Sequence, residues 1–291
     1  MSRVPVLPPN WPNRASSRFV RASGLFWHVQ VMGAGPNLLL LHGTGAATHS
    51  WRGLMPALAE RFTVIAPDLP GHGFTEAPAA ARLSMPGMAR AVLDLLRALN
   101  LQPAMAAGHS AGAAILARMC LDERITPRGL VSLNGAFLPL EGVAGQLFSP
   151  LARVLVGLPL LPRLFAWRAA DPRVVERLLD ATGSRIDAAG AALYARLVAN
   201  PRHAAAALGM MAHWDLRPLL QDLPRLRHPL LLIAGGGDRS VPPAQSERVR
   251  DLVPGARLVV MPGLGHLAHE EHPAETAALI LEHARAVGAV P

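Results

Sequence analysis

The sequence predicts an α/β protein whose central sheet is doubly wound and mostly parallel, with a helical segment inserted into it. Short apolar runs that end in glycine or a polar residue recur along the chain, which is typical of buried parallel strands. Segments with helical spacing of apolar residues separate these runs, so strands and helices alternate. One interval is far too long for a simple crossover between two parallel strands, and it predicts the insertion.

The first predicted elements lie near the N-terminus. Residues 1–16 are rich in proline and polar residues and are expected to form a loose arm. Residues 18–32 alternate around a Ser-Gly pair, which predicts a hairpin. Six apolar runs then predict the parallel strands, at residues 37–43, 62–68, 103–110, 129–135, 228–238 and 256–266.

Helices are predicted between these runs. Ser50 and Ser84 stand where helix caps are expected. About 90 residues with helical spacing separate the fourth and fifth runs, where a crossover needs a dozen. We therefore expect a core domain formed by residues 1–135 and 227–291, and a helical cap formed by residues 136–226.

The composition favours a folded protein with a sizeable core. Of the 291 residues, 51% are hydrophobic and 16% are charged, so bulk disorder is not expected. The one cysteine, Cys120, excludes an intramolecular disulfide and fits a reducing compartment. The N-terminus has no unbroken apolar run and hence no recognisable export signal, so we expect a cytoplasmic protein.

The net charge is +8, and all 28 basic residues are arginine. This balance favours anionic partners, while a GC-rich genome is the more ordinary explanation of the arginine bias. No zinc-ligand spacing, phosphate loop or basic–aromatic module is found, so we expect no metal, no cofactor and no nucleic-acid partner. Prolines and arginines interrupt the apolar residues 148–167, which therefore suit peripheral contact at the inner membrane better than spanning it.

A G-x-S-x-G motif runs from Gly108 to Gly112 and places Ser110 at a predicted strand-to-helix turn. Such a turn is crowded, and the alanines and glycines around Ser110 meet its need for small neighbours. Because the turn pushes the hydroxyl clear of the backbone, Ser110 is the predicted nucleophile. The alternative is a serine that serves only the turn.

A serine nucleophile needs a base, and the base needs a carboxylate that orients it. His266 follows the last predicted strand and is the predicted base, whereas His269 and His272 fall where a helix begins. Asp238 ends the preceding strand and is the predicted acid, with a helix cap or turn as its alternative role. Asn134 ends another strand, but an amide does not stabilise imidazolium as a carboxylate does.

An oxyanion formed by attack on a carbonyl needs two backbone N–H donors. Ala111, directly after the nucleophile, is predicted to supply one. The loop after the first parallel strand is predicted to supply the other, from Thr44 as first choice or Gly45 as second. Three polar residues near the same edge are interpreted as structural: His42, Asp68 and His72.

A substrate pocket is expected between the sheet edge and the cap. Its candidate lining residues are His109, Phe137, Phe165, Trp167, Met210, Met211 and Trp214. Such side chains more often form the core of a cap, which is the alternative. Six cap arginines suit either the carboxylates of an anionic ligand or a solvated helix face: Arg153, Arg163, Arg168, Arg173, Arg177 and Arg185.

Together these motifs resemble the α/β-hydrolase superfamily. The stretches that carry the resemblance are HGTGAATHSW, APDLPGHGFT, GHSAGAA, GGGDRSVPP and GLGHLAHEEHP, within residues 18–286. The resemblance implies the α/β-hydrolase fold with a cap at the inserted segment. It also implies a triad of Ser110, Asp238 and His266, with Thr44 and Ala111 forming the oxyanion hole.

A narrower resemblance is to the magnesium-chelatase accessory proteins of bacteriochlorophyll biosynthesis, the BchO type. It is carried by LHGTGAATHSWRGLMPALA, GHSAGAAILARMCLD, SLNGAFLPL, LFAWRAADPRVVERLLDATGSRID and GMMAHWDLRPLL. It implies a photosynthetic bacterium, a porphyrin or its ester as small-molecule substrate, and magnesium chelatase as partner. Two functions stay open: a serine hydrolase of an ester or related acyl bond, and a non-catalytic tetrapyrrole-binding or chelatase-docking protein.

Overall fold

The computed structural model describes residues 6–139, 167–168 and 171–291. Its centre is an eight-stranded sheet in the order β1-β2-β4-β3-β5-β6-β7-β8. The strands are Ser17–Ala22 (β1), Leu25–Met32 (β2), Asn37–Leu41 (β3), Thr63–Pro67 (β4), Met105–His109 (β5), Gly129–Leu133 (β6), Leu230–Gly235 (β7) and Arg257–Met261 (β8).

The strand directions decide where a site can form. β1 and β2 form the predicted antiparallel hairpin, and β2 also pairs antiparallel with β4. The remaining neighbouring strands are parallel, so the prediction of a mostly parallel sheet is confirmed. Because β4 and β5 lie on opposite sides of β3, the winding reverses there, and in such sheets a site is expected at the carboxyl ends of β3 and β5.

Helices connect the strands as expected. The helix predicted from Ser50 begins later, at Leu54, because Thr48–Trp51 form a 3-10 turn instead. In the described ranges, no helix is long and apolar enough to cross a membrane. The α-helices are Leu54–Ala59 (α1), Met85–Ala98 (α2), Ala111–Leu121 (α3), Pro172–Ala181 (α4), Ala188–Val198 (α5), Pro201–Ala212 (α6), Arg217–Asp222 (α7), Pro243–Leu252 (α8), Ala268–Glu271 (α9) and Pro273–Ala286 (α10).

Both faces of the sheet are covered at its centre, which explains why β3, β5, β6 and β7 read as apolar runs. In β3, Leu39 and Leu41 pack into the apolar cluster formed with α2 and α3. Leu38 and Leu40 point to the opposite face and pack with α1 and α10. All four leucines are fully buried, so the strand is apolar from Leu38 to Leu41 although its side chains alternate between the two faces.

The chain between β6 and β7 holds α4, α5, α6 and α7. Val175 of α4 and Tyr194 of α5 form one apolar cluster with Ala46 and Leu267 of the core loops. Residues 140–166 and 169–170 lie outside the described residues. These ranges include Phe165, Arg153, Arg163 and most of the apolar stretch 148–167. The boundaries of the cap therefore stay a prediction.

The expectation of a loose N-terminal arm is wrong for the segment around Trp11. This side chain is 2% exposed, and its Nε1 donates a hydrogen bond to Thr48 Oγ1 at 3.2 Å. Its ring meets Phe74 edge-on at 4.8 Å between centroids, and two leucines of α5 complete the cluster. The proline-rich composition predicts no local structure, but a buried tryptophan fixes the segment through distant partners.

Candidate active site

Ser110 occupies the turn between β5 and α3. Its backbone has φ 50° and ψ −116°, a conformation that costs a non-glycine residue about 1–3 kcal/mol. A Cβ atom on Gly108 would collide with the Ala113 backbone, and one on Gly112 would collide with the Leu41 carbonyl. The turn is therefore as crowded as the G-x-S-x-G motif predicts, and its strain is held by the packing of β3 and α3 around it.

Asp238 and His266 form a buried pair. His266 Nδ1 lies 2.7 Å from Asp238 Oδ2, and the two residues are 8% and 5% exposed, respectively. The other carboxylate oxygen accepts hydrogen bonds from the Ser240 and Val241 N–H groups, both at 2.8 Å. With an ionised carboxylate, which only accepts, and a neutral imidazole, the proton lies on Nδ1 and Nε2 keeps its lone pair.

Three segments of the chain meet around Ser110. The neighbouring residue His109 donates from Nε2 to the His266 carbonyl at 2.9 Å, and the two rings lie 4.7 Å apart between centroids. On the other side, a Cβ atom on Gly43 would lie 3.0 Å from Ser110 Cβ. The loop after β3, the serine turn and the histidine loop therefore converge at one sheet edge, as the sequence predicts.

The loop after β3 carries the two candidate oxyanion donors, Thr44 and Gly45. Both residues are half-buried, and Gly45 has φ 79°. His42 Nδ1 donates to the Gly43 carbonyl at 2.8 Å, while its Nε2 accepts from the Leu69 N–H at 2.9 Å. These bonds fit the structural role expected for His42. Ala111, the other donor candidate, is the first residue of α3, where an N–H has no intrahelical acceptor.

Asp68 also makes the contacts of a structural residue. Its carboxylate accepts from the N–H groups of Thr48 and Phe74 and lies 2.8 Å from His28 Nδ1. Burial raises the pKa of Asp68, but the His28 ring and the hydrogen bonds outweigh it and hold that pKa well below its usual range. His72 Nδ1 donates to the Pro70 carbonyl within the same loop.

The candidate pocket residues lie in several environments. Phe137, Met210 and Trp214 are buried in the apolar cluster around α3, which fits the alternative of cap and core packing. His109 is 3% exposed and is engaged with the His266 loop rather than lining open space. Trp167 is 71% exposed, Met211 is half-buried, and Phe165 lies outside the described residues. A pocket role for this set stays a prediction.

Sequence reasoning missed the residues that support the candidate acid and base. Asn134 Nδ2 donates to Asp238 Oδ2 at 2.8 Å, so this amide, which cannot serve as the acid, supports the candidate acid. From the chain before α5, the Thr182 carbonyl accepts the His266 N–H at 3.3 Å. Ser184 Oγ accepts the Leu267 N–H at 2.8 Å. No local pattern announces these contacts, because each joins segments far apart in the chain.

A polar network centred on Glu270 joins α5 to α9, the short helix that follows His266. The Glu270 side chain is fully buried and accepts hydrogen bonds from Arg52 Nη1 at 2.7 Å and Tyr194 Oη at 2.6 Å. Arg52 also reaches Asp187 at 2.8 Å. Burial raises the pKa of Glu270 to about 7, because the partners that favour its charged form compensate only in part.

This raised pKa predicts a pH-dependent contribution to stability. Above pH 4.5 the unfolded chain releases the Glu270 proton, whereas the folded protein keeps it up to about pH 7. The stabilisation is therefore complete below pH 4.5 and is lost as the pH rises through 7. We expect the unfolding free energy of wild type, minus that of Glu270→Gln, to fall by up to about 3 kcal/mol across this interval. Urea denaturation at a series of pH values measures it.

The difference in unfolding free energy between wild type and Glu270→Gln is the necessary readout. Buried histidines, whose pKa burial lowers, change the stability of both proteins in the opposite direction as the pH rises. A difference that stays constant from pH 4.5 to 8 would contradict a raised Glu270 pKa. The histidines concerned are His42, His49, His72, His109, His203 and His269.

Among the described residues, no group of three or more His, Cys, Asp or Glu side chains is arranged to hold a metal ion. Cys120 is a free, buried thiol in α3, and burial raises its pKa to about 12. Such a thiol is almost entirely protonated at neutral pH, so it is a poor nucleophile.

Comparisons with known proteins agree with this architecture. The family model for the alpha/beta hydrolase fold matches residues 36–273. The chain is 44% identical over 266 residues to the magnesium-chelatase 30 kDa subunit of Rhodobacter capsulatus, covering 91% of this chain and 93% of that protein. It is 29% identical over 267 residues to the pimeloyl-[acyl-carrier protein] methyl ester esterase of Aeromonas hydrophila, covering 88% and 97%.

Solved structures give the same picture. A serine hydrolase involved in carbazole degradation superposes with a TM-score of 0.75 at 22% identity, covering 92% of this chain and 98% of that chain. An alpha/beta hydrolase fold protein from Burkholderia ambifaria gives a TM-score of 0.77 at 24% identity, covering 91% and 97%. At these identities the likeness establishes the fold alone.

Proposed function

Because this chain belongs to the α/β-hydrolase family, we propose that it is a serine hydrolase that cleaves an ester or related acyl bond. One observation carries the proposal. The strained turn presents Ser110 at the edge where His266, oriented by Asp238 at 2.7 Å, keeps Nε2 free to accept a proton. A serine that served only the turn would need no buried pair of histidine and aspartate at the same edge of the sheet.

The reaction then follows from the roles of these groups. Ser110 Oγ attacks the carbonyl carbon of the ester while its proton moves to His266 Nε2. The carbonyl oxygen becomes an oxyanion held by the N–H groups of Thr44 and Ala111. Its collapse breaks the bond to the leaving group, which takes the proton from His266. Water, activated by the same histidine, then hydrolyses the acyl-enzyme.

Hydrolysis of p-nitrophenyl esters tests this proposal. We expect release of p-nitrophenol that saturates with ester concentration, with an initial burst where deacylation is slower than acylation. The similarity to a methyl ester esterase supports the choice of simple esters as probes. Folded protein that releases p-nitrophenol no faster than buffer, for acyl chains from acetate to octanoate, would contradict a serine hydrolase.

The biological setting is a second part of the proposal. The 44% identity to a magnesium-chelatase 30 kDa subunit, over nearly the whole length of both chains, supports an accessory role beside magnesium chelatase. A porphyrin or its ester is then the substrate class. The alternative is a non-catalytic accessory protein that binds a tetrapyrrole or docks on the chelatase while retaining the triad.

Titration with protoporphyrin IX tests the hypothesis that the protein binds a tetrapyrrole. Bound porphyrin should saturably quench the fluorescence of those of the five tryptophans that lie near its site. Arg173, Arg177 and Arg185 are exposed on the described part of the cap and are candidate partners for the propionates. A fluorescence signal that stays linear with added porphyrin, after correction for absorption, would count against binding.

A further inference from the structure

His203 crosses from α6 to two loops of the core. The side chain lies in the first turn of α6, which begins at Pro201, and the residue is 1% exposed. Nδ1 accepts a hydrogen bond from the Gly73 N–H at 3.0 Å, and Nε2 lies 3.0 Å from the Gly45 carbonyl oxygen. Its ring also packs edge-on against His72, with 5.3 Å between centroids. The two loops it joins are those after β3 and β4.

These two bonds require one form of the imidazole. Burial lowers the pKa of His203 to about 4, so the ring is neutral at pH 7. A neutral ring has one donor and one acceptor nitrogen. Because the Gly73 N–H donates to Nδ1, the proton must lie on Nε2, where it is donated to the Gly45 carbonyl. Every polar atom of this buried ring is therefore used.

The bond to Gly45 reaches the candidate oxyanion donor through two peptide planes. The Gly45 carbonyl belongs to the same plane as the Ala46 N–H, which donates to the Gly43 carbonyl at 3.2 Å. The Gly43 carbonyl, which also accepts from His42 Nδ1 at 2.8 Å, belongs to the same plane as the Thr44 N–H. In a trans peptide the C=O and N–H point in opposite directions. Fixing the Gly43 carbonyl therefore aims the Thr44 N–H away from it.

We propose that His203 is a positioning residue that acts beside His42 to hold the Thr44 N–H in place, so that α6 completes the oxyanion site of the core. This inference rests on the proposed serine hydrolase function. It assigns α6 a part in catalysis beyond covering the substrate, because displacement of α6 from the core removes an anchor of the oxyanion loop. His203 itself need not touch the substrate.

Three substitutions separate the two hydrogen bonds. Gln places its amide nitrogen near the position of Nε2, whereas Asn places its amide oxygen near that of Nδ1. We expect His203→Ala and His203→Asn to lower kcat for p-nitrophenyl acetate by about 10- to 100-fold, less than complete removal of an oxyanion donor. KM should change by less than about threefold, because the donor acts mainly in the transition state. His203→Gln should recover most of the loss.

His213→Ala is the matched control. His213 lies directly after α6, and its Nδ1 donates to the Gly209 carbonyl of that same helix at 2.8 Å. We expect its kcat and KM to equal those of wild type. Equal kcat for wild type and all three His203 variants would overturn the proposal. Equal losses of kcat in His203→Ala, His203→Asn and His203→Gln, in proportion to the fall in their unfolding midpoints, would also overturn it.

Hydrogen exchange keeps this inference separate from the proposed function. We expect His203→Ala, and not His213→Ala, to speed amide exchange in residues 43–48 and 71–75, with other loops unchanged. If wild type turned over no ester, the hydrolase proposal would fail while the exchange data still judged the anchoring role. Unchanged exchange in both loops would overturn that role.

Discussion

Ser110→Ala is expected to lower kcat for p-nitrophenyl esters by between about 10³- and 10⁶-fold, while the protein stays folded. The substitution removes the nucleophile, and the oxyanion donors that remain give only the residual catalysis known for serine hydrolases without their serine. Alanine accepts the same backbone conformation about as poorly as serine, so the strain of the turn is unchanged. Steady-state kinetics, with circular dichroism as a check on folding, measure the effect.

Ser23→Ala is the matched control for that substitution. Ser23 also has a left-handed backbone, with φ 54°, but it lies at the exposed turn between β1 and β2. Its activity should equal that of wild type. Turnover by Ser110→Ala within tenfold of wild type would show that another group carries the reaction.

Asp238→Asn is expected to lower kcat by about 10⁴-fold through the tautomer of His266. The oxygen of the new amide must stay where the Ser240 and Val241 N–H groups donate to it. Its NH₂ then faces His266 Nδ1 and forces that nitrogen to accept. The His266 proton moves to Nε2, which can no longer take the proton of Ser110. Single-turnover kinetics with p-nitrophenyl acetate measure the loss in the acylation step.

Asn134→Ala separates this effect from a general disturbance of the pair. It removes one donor to the same Asp238 oxygen but leaves the carboxylate and its bond to His266. We expect a loss of less than about 100-fold, in line with a residue that acts through another. Equal losses in Asp238→Asn and Asn134→Ala would contradict the tautomer argument.

The fold could be predicted, and the candidate triad located, because each strand and each candidate residue lies in a recognisable local sequence pattern. Ser110 directly follows β5, Asp238 lies three residues after β7, and His266 lies in the loop after β8. Parallel strands bring these ends to one edge. The α/β-hydrolase fold and the resemblance to magnesium-chelatase accessory proteins are confirmed. The catalytic roles stay predictions.

Contacts between distant segments could not be predicted. Trp11 lies in a proline-rich stretch, and its partner Thr48 is 37 residues away. His203 and Gly45 are 158 residues apart, and α6 shows no periodicity that distinguishes this histidine from others. Glu270 lies in a short helix, and no local pattern shows that its side chain is buried and hydrogen-bonded to Arg52 and Tyr194. Each of these positions is decided by tertiary packing, which a single sequence does not encode in any local pattern.

Labelling with a fluorophosphonate, followed by peptide mass spectrometry, tests most directly whether Ser110 is an activated nucleophile. We expect one phosphonyl adduct on Ser110 in folded wild type. Its formation should be slower by several orders of magnitude in His266→Gln, and no adduct should form after unfolding in urea. Folded wild type that carries no adduct on Ser110, or that is labelled no faster than His266→Gln, would contradict it.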